Sequence, residues 1–185
     1  PYRLEVDGQT MLTGTLNQQL AADDEVVDGG NWETLGTVTV PAGGRLLAEL
    51  SNAANGFVIA DALRIVRLGT DGVSGESPAV QPEQEAGGDE STAAQSESTV
   101  YILDDRSPSC SVTGSWVLYP RAGYGGSLGF ARAGNGEKLA SCTLSSLAEG
   151  DYQVSATWVA HANRASNAPY RLEVDGQTML TGTLN

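Results

Sequence analysis

The sequence has few basic residues and no long apolar run. Ten lysines and arginines stand against 23 aspartates and glutamates, which gives a formal net charge of -13. Binding to nucleic acid or to an anionic membrane surface needs a basic face, so we expect neither. No stretch approaches the 18 or more apolar residues of a transmembrane helix, and the start lacks a signal-peptide pattern. We therefore predict no membrane insertion.

Sulfur and aromatic residues are also scarce. Cys110 and Cys142 are the only cysteines, and they fit neither a metal-ligand spacing nor a C-x-x-C motif. They could form one bridge in an oxidising compartment. Aromatic residues make up 6% of the chain. No helical periodicity is sustained, whereas short runs of Val, Ile, Leu and Thr are broken by turn residues about every ten positions, which predicts an all-β protein.

Residues 33–40 and 45–51 predict one antiparallel pair across the turn 41–44, and residues 130–144 predict another. Residues 18–30 predict a surface loop, and the apolar stretch 57–68 predicts a strand in the centre of a sheet.

What the sequence does contain is an exact repeat. Residues 1–17, PYRLEVDGQTMLTGTLN, return unchanged as residues 169–185, an offset of 168 positions. A fixed offset between identical segments is typical of a repeat array. Each copy alternates like a half-buried strand and carries Asp-Gly, a strong signal for a two-residue β-hairpin turn. We interpret the chain as one repeat period with the start of the next attached. A permuted unit that donates its surplus hairpin to a neighbour is the alternative.

A change of composition divides the chain in three. Residues 69–98 contain seven acids, no Lys or Arg, and otherwise mostly Gly, Ser, Thr, Ala, Gln and Pro, which predicts a self-repelling linker. Residues 1–68 would then be the C-terminal part of one β-sandwich repeat and residues 99–185 the N-terminal part of the next. Joined in repeat order, 99–185 and 18–68 give a unit of 138 residues, a comfortable size for one sandwich.

Read in that order, the unit resembles the golvesin C-terminal-like domain, also described as a xanthan-lyase-type carbohydrate-binding-like domain. The matching blocks are YILDDRSP (101–108), VTGSW (112–116), GYGGS (123–127), ANRASNAPY (162–170), GGNWETLGTVTVPAG (29–43) and LSNAANGFVIADALRIV (50–66). The resemblance implies an antiparallel jelly-roll or galactose-binding-like β-sandwich, here split across repeat boundaries, on extracellular bacterial proteins. It implies no enzymatic activity.

The two cysteines stand where we expect aromatic residues in that family. A contacting aromatic pair replaced by a disulfide is coherent, so the resemblance implies a bridge between Cys110 and Cys142. Two buried free thiols are the alternative. A bridge closing a loop of this length contributes about 2–4 kcal/mol.

One sequence pattern imitates a catalytic motif. Residues 125–129, GGSLG, match G-x-S-x-G around Ser127, and Asp151 and His161 follow in the chain order of an α/β-hydrolase. That motif needs a strand-to-helix elbow, which the following glycine-rich residues 130–136 cannot supply. We predict a glycine-rich turn, no catalytic residues and no cofactor.

Polar and aromatic loop residues are candidates for sugar binding. In the turn 162–167, Arg164 offers a fork of donors and two asparagines both donate and accept, although such side chains also satisfy turn backbones. Aromatic rings could stack on pyranose rings if exposed, although most such rings in a sandwich are buried, and we assign Trp158 to the core. The glycan-binding candidates are Tyr124, Arg164, Asn163, Asn167 and Trp32. We expect Arg164 to pair with a carboxylate such as Asp61.

Carboxylates and hydroxyls supply two weaker sets of candidates. Asp104, Asp105 and Asp61 could offer oxygen ligands to calcium, but no EF-hand spacing supports this, so we predict no metal centre. Residues of the predicted linker could carry O-linked sugars, and these are Ser91, Thr92, Ser96 and Ser98.

These observations favour a structural role. The sequence predicts a subunit of an extracellular bacterial filament or cell-surface stalk, a homopolymer of tandem 168-residue repeats joined covalently or by strand exchange. The alternative is a non-catalytic carbohydrate-binding module, whose partner would be an extracellular polysaccharide.

Overall fold

The computed structural model describes residues 4–6, 9–11, 14–69 and 99–178. These residues form β-strands and one short 3-10 segment, Tyr124–Gly126. The strands are β1 (Leu4–Val6), β2 (Gln9–Met11), β3 (Gly14–Leu16), β4 (Glu25–Val27), β5 (Gly30–Val40), β6 (Gly44–Ser51), β7 (Val58–Ala60), β8 (Ala62–Arg67), β9 (Val100–Asp104), β10 (Cys110–Thr113), β11 (Val117–Pro120), β12 (Ser127–Ala131), β13 (Leu139–Leu147), β14 (Gly150–Thr157), β15 (Ala168–Val174) and β16 (Gln177–Thr178).

The strands form antiparallel sheets that pack together as a sandwich. A six-stranded sheet has the order β10-β13-β6-β15-β16, with β3 also paired to β15, and a five-stranded sheet has the order β4-β5-β14-β8-β9. Strands β11, β12 and β7 form a smaller sheet, and β1 and β2 form a two-stranded one. The all-β, sandwich-like prediction is therefore confirmed.

The core lies between the six-stranded and five-stranded sheets. Successive side chains on a strand point to opposite faces, so each long strand contributes alternate residues to the interior. Strand β6 contributes Leu46, Ala48 and Leu50, and strand β15 contributes residues such as Leu172 to the same buried cluster. Trp158 is buried as predicted, and its indole Nε1 donates to the carbonyl of Leu20 at 2.8 Å.

Strands from the two sides of the predicted linker pair with each other. Strand β8 pairs with both β9 and β14, β5 pairs with β14, and β6 pairs with β13 and β15. The backbone N–H of Arg67 donates to the carbonyl of Thr99 at 2.9 Å, so the residues that flank the predicted linker lie side by side. Each segment thus finds its complementary strands in the other segment of this chain. Linker residues 70–98, with the four O-glycosylation candidates, lie outside the described residues.

Two predicted strand pairs are wrong. The sequence predicts that residues 33–40 and 45–51 pair across a turn, and that residues 130–144 form another pair. Instead β5 and β6 lie in different sheets, and so do β12 and β13. Turn residues specify where a chain reverses, but the reversal can cross from one sheet to the other as well as close a hairpin. Strands β5 and β6 are therefore neighbours in the sequence but belong to the two different sheets that enclose the core.

The stretch 57–68 is divided rather than continuous. Strand β8 is central and almost entirely buried, as predicted for this apolar segment. Strand β7, however, pairs with β12 in the three-stranded sheet. Asp61 stands between the two strands, at the point where the chain passes from one sheet to the other. The segment 18–30, predicted as a surface loop, contains a short strand, β4.

Candidate functional site

A cleft of about 270 Å³ opens between the six-stranded sheet and the small sheet. One wall contains Glu49, Ser141 and the cysteines of β10 and β13, and the other contains Trp116 and Leu118. Asp61 and Asp105 supply carboxylates to the lining. A concave, mostly apolar site with a few convergent polar groups is the usual form of a small-ligand pocket.

Asp61 is the most deeply buried carboxylate of the cleft, at 6% exposure. Its Oδ1 accepts a hydrogen bond from the backbone N–H of Tyr124 at 2.8 Å. Burial raises the pKa of Asp61 to about 8, with further increases from Asp104 and Asp105, and the bond from Tyr124 offsets only part of this. The carboxyl group is therefore largely protonated at neutral pH and can donate as well as accept a hydrogen bond.

Asp104 and Asp105 continue the carboxylate cluster at the end of β9. Asp105 Oδ1 accepts from the hydroxyl of Ser127 at 2.8 Å, whereas its Oδ2 is buried with no hydrogen-bond partner among the described residues. Burial, and then the side chain of Asp105, raise the pKa of Asp104 to about 6. A buried oxygen without a partner costs free energy, so this end of the cleft favours a ligand that donates hydrogen bonds.

Two glycines let the turn before β12 wrap around these carboxylates. Gly123 has φ 91°, and a Cβ there would lie 2.7 Å from Asp61 Oδ1. Gly125 has φ 65°, and a Cβ there would lie 2.5 Å from Asp104 Oδ2. Both positions therefore need glycine for space as well as for backbone conformation. The GYGG segment of the sequence is explained by this close approach.

The hydrolase-like residues do not act on one another. Ser127 is buried and its hydroxyl donates to Asp105, while Asp151 accepts from the Thr39 hydroxyl at 2.6 Å. His161 is exposed, and its Nδ1 lies 3.0 Å from Asn163 Oδ1. A nucleophile and its base must lie within hydrogen-bond reach, and these side chains have other partners.

The aromatic glycan candidates form a packed pair. Trp32 is 0% exposed, and its Nε1 donates to the carbonyl of Val27 at 2.9 Å. Tyr124 is half-buried, with its ring centroid 5.4 Å from that of Trp32 and its hydroxyl 3.1 Å from the Asp28 carbonyl. Trp32 therefore has no exposed ring face on which a sugar could stack, in agreement with the alternative that most such rings in a sandwich are buried.

The polar glycan candidates lock two loops together. Arg164 donates to Asn163 Oδ1 at 2.8 Å and to the Val159 carbonyl at 3.4 Å. The expected pairing of Arg164 with Asp61 is not among these contacts. Asn167 Oδ1 accepts from the backbone N–H of Asn55 at 2.8 Å. The turn 162–167 thus forms hydrogen bonds with neighbouring backbone groups, which is a structural role. No hydrogen bond joins it to Tyr124 or Trp32 among the residues that the structure describes.

The arginine that pairs with carboxylates is Arg64 rather than Arg164. Its guanidinium lies 2.7 Å from Asp28 and 2.9 Å from Glu25 and is almost buried. This link fastens β8 to β4. The sequence offered no spacing rule that would connect these residues, since the contact depends on sheet order.

Cys110 and Cys142 form the predicted disulfide. They stand opposite each other in the register of β10 and β13, with an S–S distance of 2.07 Å. The bridge fastens the outermost strand of the six-stranded sheet and forms part of the cleft wall.

The calcium candidates are not the acids that come together most closely. Among the described residues, the group of three carboxylates within 4.8 Å of one another consists of Asp23, Asp24 and Glu33. Burial raises the pKa of Glu33, and Asp24 and Asp23 raise it further. Asp24 accepts a hydrogen bond from the backbone N–H of Thr34 at 2.8 Å, and Glu33 accepts one from the backbone N–H of Asp23 at 3.4 Å. Such solvated acidic groups are common on protein surfaces.

An apolar rim of exposed residues lies on β10 and β11, and of these residues Val112 and Leu118 line the cleft. Val112, Val117, Leu118 and Tyr119 are all about half-exposed, and Trp116 is half-buried between them with Nε1 donating to the Thr113 carbonyl at 3.2 Å. Neither this rim nor the cleft itself was predicted. The signal available in the sequence was the aromatic-rich VTGSWVLYP segment, whose alternation looks like an ordinary strand.

Comparison with protein-family models, curated proteins and solved structures gives no match for this chain. The resemblance to the golvesin C-terminal-like domain therefore stays a prediction. No helix in the described part of the chain is long and apolar enough to cross a membrane.

Proposed function

We propose that this chain is a structural unit of an extracellular filament or cell-surface stalk made of tandem 168-residue repeats, in which each sandwich is completed across a repeat boundary. The observation that carries the proposal is the meeting of both repeat copies on one strand. Strand β15, from the second copy, pairs with β16 of its own copy and with β3 of the first copy.

Along β15, the pairs with β16 and with β3 have almost the register that one continuous strand would have. Glu173 pairs with Thr178, and three residues further along β15 Tyr170 pairs with Gly14. With the offset of 168, Gly14 corresponds to residue 182, which is four residues after Thr178. The first copy therefore lies where the second copy would arrive after a one-residue bulge, a common irregularity of antiparallel pairs. Joining the copies needs no rearrangement of the sandwich.

The pairing between the two segments supports the same arrangement. In an array, residues 99–185 would meet the equivalents of residues 18–68 directly after the repeated hairpin, and the linker would lead to the next unit. The sheets seen here would be kept, because each contact is the same whether its halves come from one period or from two. The jelly-roll or galactose-binding-like topology and the homopolymeric partner belong to this proposal.

The remaining features fit an extracellular structural role. A disulfide is typical of secreted proteins. The high negative charge keeps extended arrays soluble and apart. The proposal assigns no catalytic activity, and the described hydrolase-like residues make no triad.

Disulfide trapping in a three-period array tests the proposal. Thr39 and Asp151 are exposed partners in β5 and β14, so cysteines placed there report which halves pair. We expect a bridge when Asp151→Cys is in one period and Thr39→Cys is in the next. The matched control carries both substitutions in the same period and should bridge far less. Bridging only within a period would contradict the proposal.

A second candidate function is carbohydrate binding, and the cleft is the observation that favours it. A neutral carboxyl, an acceptor oxygen without a partner and the Trp116 ring are suited to a ligand with hydroxyl donors and an apolar face. A pull-down with soluble polysaccharides tests this candidate. Trp116→Ala should abolish retention while Tyr119→Ala, outside the lining, should keep it. Retention unchanged by Trp116→Ala would contradict it, and Tyr124→Ala and Arg164→Ala test the sites predicted from sequence.

A further inference from the structure

We propose that the outer edge of β15 at Ala168–Tyr170 is an exchangeable strand-acceptor site, whose second ligand is residues 182–184 of the same chain. In the structure this edge is occupied by β3, with Leu16 opposite Ala168, Thr15 opposite Pro169 and Gly14 opposite Tyr170. The inference concerns one chain in solution and does not require a filament.

The site is built for this short sequence. Leu16 is 1% exposed and belongs to the main hydrophobic core. Two residues later Gln18 is fully buried, with its side-chain amide donating to the Ile59 carbonyl and accepting from the Ile59 N–H, both at 2.8 Å. The edge therefore holds its strand by backbone pairing, one leucine anchor and a polar anchor beyond it.

Residues 182–184 satisfy the first two requirements. Their sequence, Gly-Thr-Leu, is identical to that of Gly14–Leu16, so their backbone and leucine can make the same contacts. Strand β16 runs along the same edge of β15 toward this site, and only residues 179–181 separate it from residue 182. The second ligand is therefore delivered by a short tether, which gives it a high effective concentration.

The two ligands reach the site through different tethers. Gly14–Leu16 is held from its C-terminal side by Gln18, whereas residues 182–184 are held from their N-terminal side by β16. A single site with two identical, differently tethered strands has two occupied states. When one strand is bound, the other is released. Small changes to either leucine should then shift the populations strongly.

Competitive disulfide trapping tests the exchange in the full chain. Thr15 and Pro169 are register partners, and proline lacks the N–H that a hydrogen-bonded pair would need, which favours the pair geometry in which disulfides form. The chain would carry Pro169→Cys together with Thr15→Cys and Thr183→Cys. Peptide mapping by mass spectrometry would then measure the two alternative bridges, 15–169 and 169–183. We expect both bridges within single chains.

Leucine substitutions give the decisive readout. Leu16→Ala should shift the ratio of bridges toward 169–183 by about tenfold or more, and Leu184→Ala should shift it the other way by a similar factor. A separate Thr39→Cys and Asp151→Cys pair in β5 and β14 serves as the matched control for folding and should form equally in both backgrounds. Bridge 15–169 alone in every variant, or bridge 169–183 found only between chains, would overturn the proposal.

Hydrogen exchange provides a measurement without cysteines. Leu184→Ala should slow exchange of the backbone amides of Gly14–Leu16, because their competitor is weakened. Unchanged exchange at these amides would count against the site. Because the array test probes pairing between periods and these tests probe one edge within a chain, the two proposals can fail separately.

Discussion

The two copies of the repeated hairpin have the same sequence but different surroundings. In the first copy Glu5 pairs with Thr10, and in the second copy Glu173 pairs with Thr178, which is the same register. Strands β1 and β2 nevertheless form a sheet of two, whereas β15 joins a six-stranded sheet beside β6. Local sequence thus determines the hairpin, and the neighbouring strand determines whether it belongs to the core.

The turn explains why the local structure is reproducible. Asp175 and Gly176 have φ values of 50° and 80°, which is the left-handed geometry of a type I′ turn. The Asp175 side chain also accepts from the backbone N–H of Arg45 at 2.8 Å. That second contact belongs to the sheet and not to the hairpin.

The largest difference between the copies should appear at their shared leucine. Leu172 is 0% exposed, so Leu172→Ala should destabilise the protein by about 2–5 kcal/mol through lost burial and a cavity. The equivalent Leu4→Ala lies in a two-stranded sheet, which contributes little stability alone, and should cost below about 1 kcal/mol. Urea unfolding followed by tryptophan fluorescence measures both. Equal losses would show that the two hairpins have equivalent neighbours.

Removal of the disulfide should weaken the sheet that holds the second copy. Replacing Cys110 and Cys142 together by serine should cost about 2–4 kcal/mol, because the unfolded chain regains the freedom of the closed loop. The same loss should be produced in the unmodified chain by a reductant. A stability that is unaffected by the double substitution would mean that β10 is held by packing alone.

The pH dependence of the free energy of unfolding should arise largely from Asp61, which is buried in the sandwich that the second copy joins. Because the pKa of Asp61 is raised to about 8 in the folded state, the unfolded chain releases this proton first, so stability falls between about pH 4 and pH 8. Asp61→Asn should remove most of that decline, which is roughly 5 kcal/mol for a carboxyl whose pKa rises from 3.8 to about 8 on folding, and should have little effect below pH 4. Unfolding curves at pH 5 and pH 8 check this expectation. Parallel pH profiles of both proteins would contradict it.

The smallest expected difference is at the turn glycine. Gly176→Ala should cost roughly 1 kcal/mol, because a Cβ there has free space but the backbone has positive φ. The equivalent Gly8→Ala should leave global stability unchanged within error. Thermal unfolding of the two variants distinguishes these effects. A larger loss for Gly8→Ala would mean that the first copy, rather than the second, contributes more to the stability of the fold.

Sequence patterns predicted the local features well. The hairpin register follows from the Asp-Gly turn, and the central position of β8 follows from its apolar run. The disulfide was predicted through a family resemblance that no comparison tests, yet the structure confirms the bridge itself. These features depend on neighbouring residues or on one distinct pair.

Features that depend on sheet order could not be predicted. The turn at 41–44 was interpreted as a hairpin, although β5 and β6 lie in opposite sheets. Whether Trp32 is exposed or buried could not be decided either, because nothing in its local sequence shows that Tyr124 packs against it. The cleft combines β6, β13, β11 and Asp61, which come from separate parts of the chain. Such a site exists only after the two sheets have packed.

Thermal unfolding of a rearranged chain tests the central claim most directly. The chain would consist of residues 99–185 followed immediately by residues 18–68, without the linker or the first copy. Our account predicts one cooperative transition at a temperature at least equal to that of the present chain, because the continuous strand satisfies both tethers of the β15 edge. A chain that fails to fold, or that melts far lower, would contradict the assignment of these residues to one repeat unit.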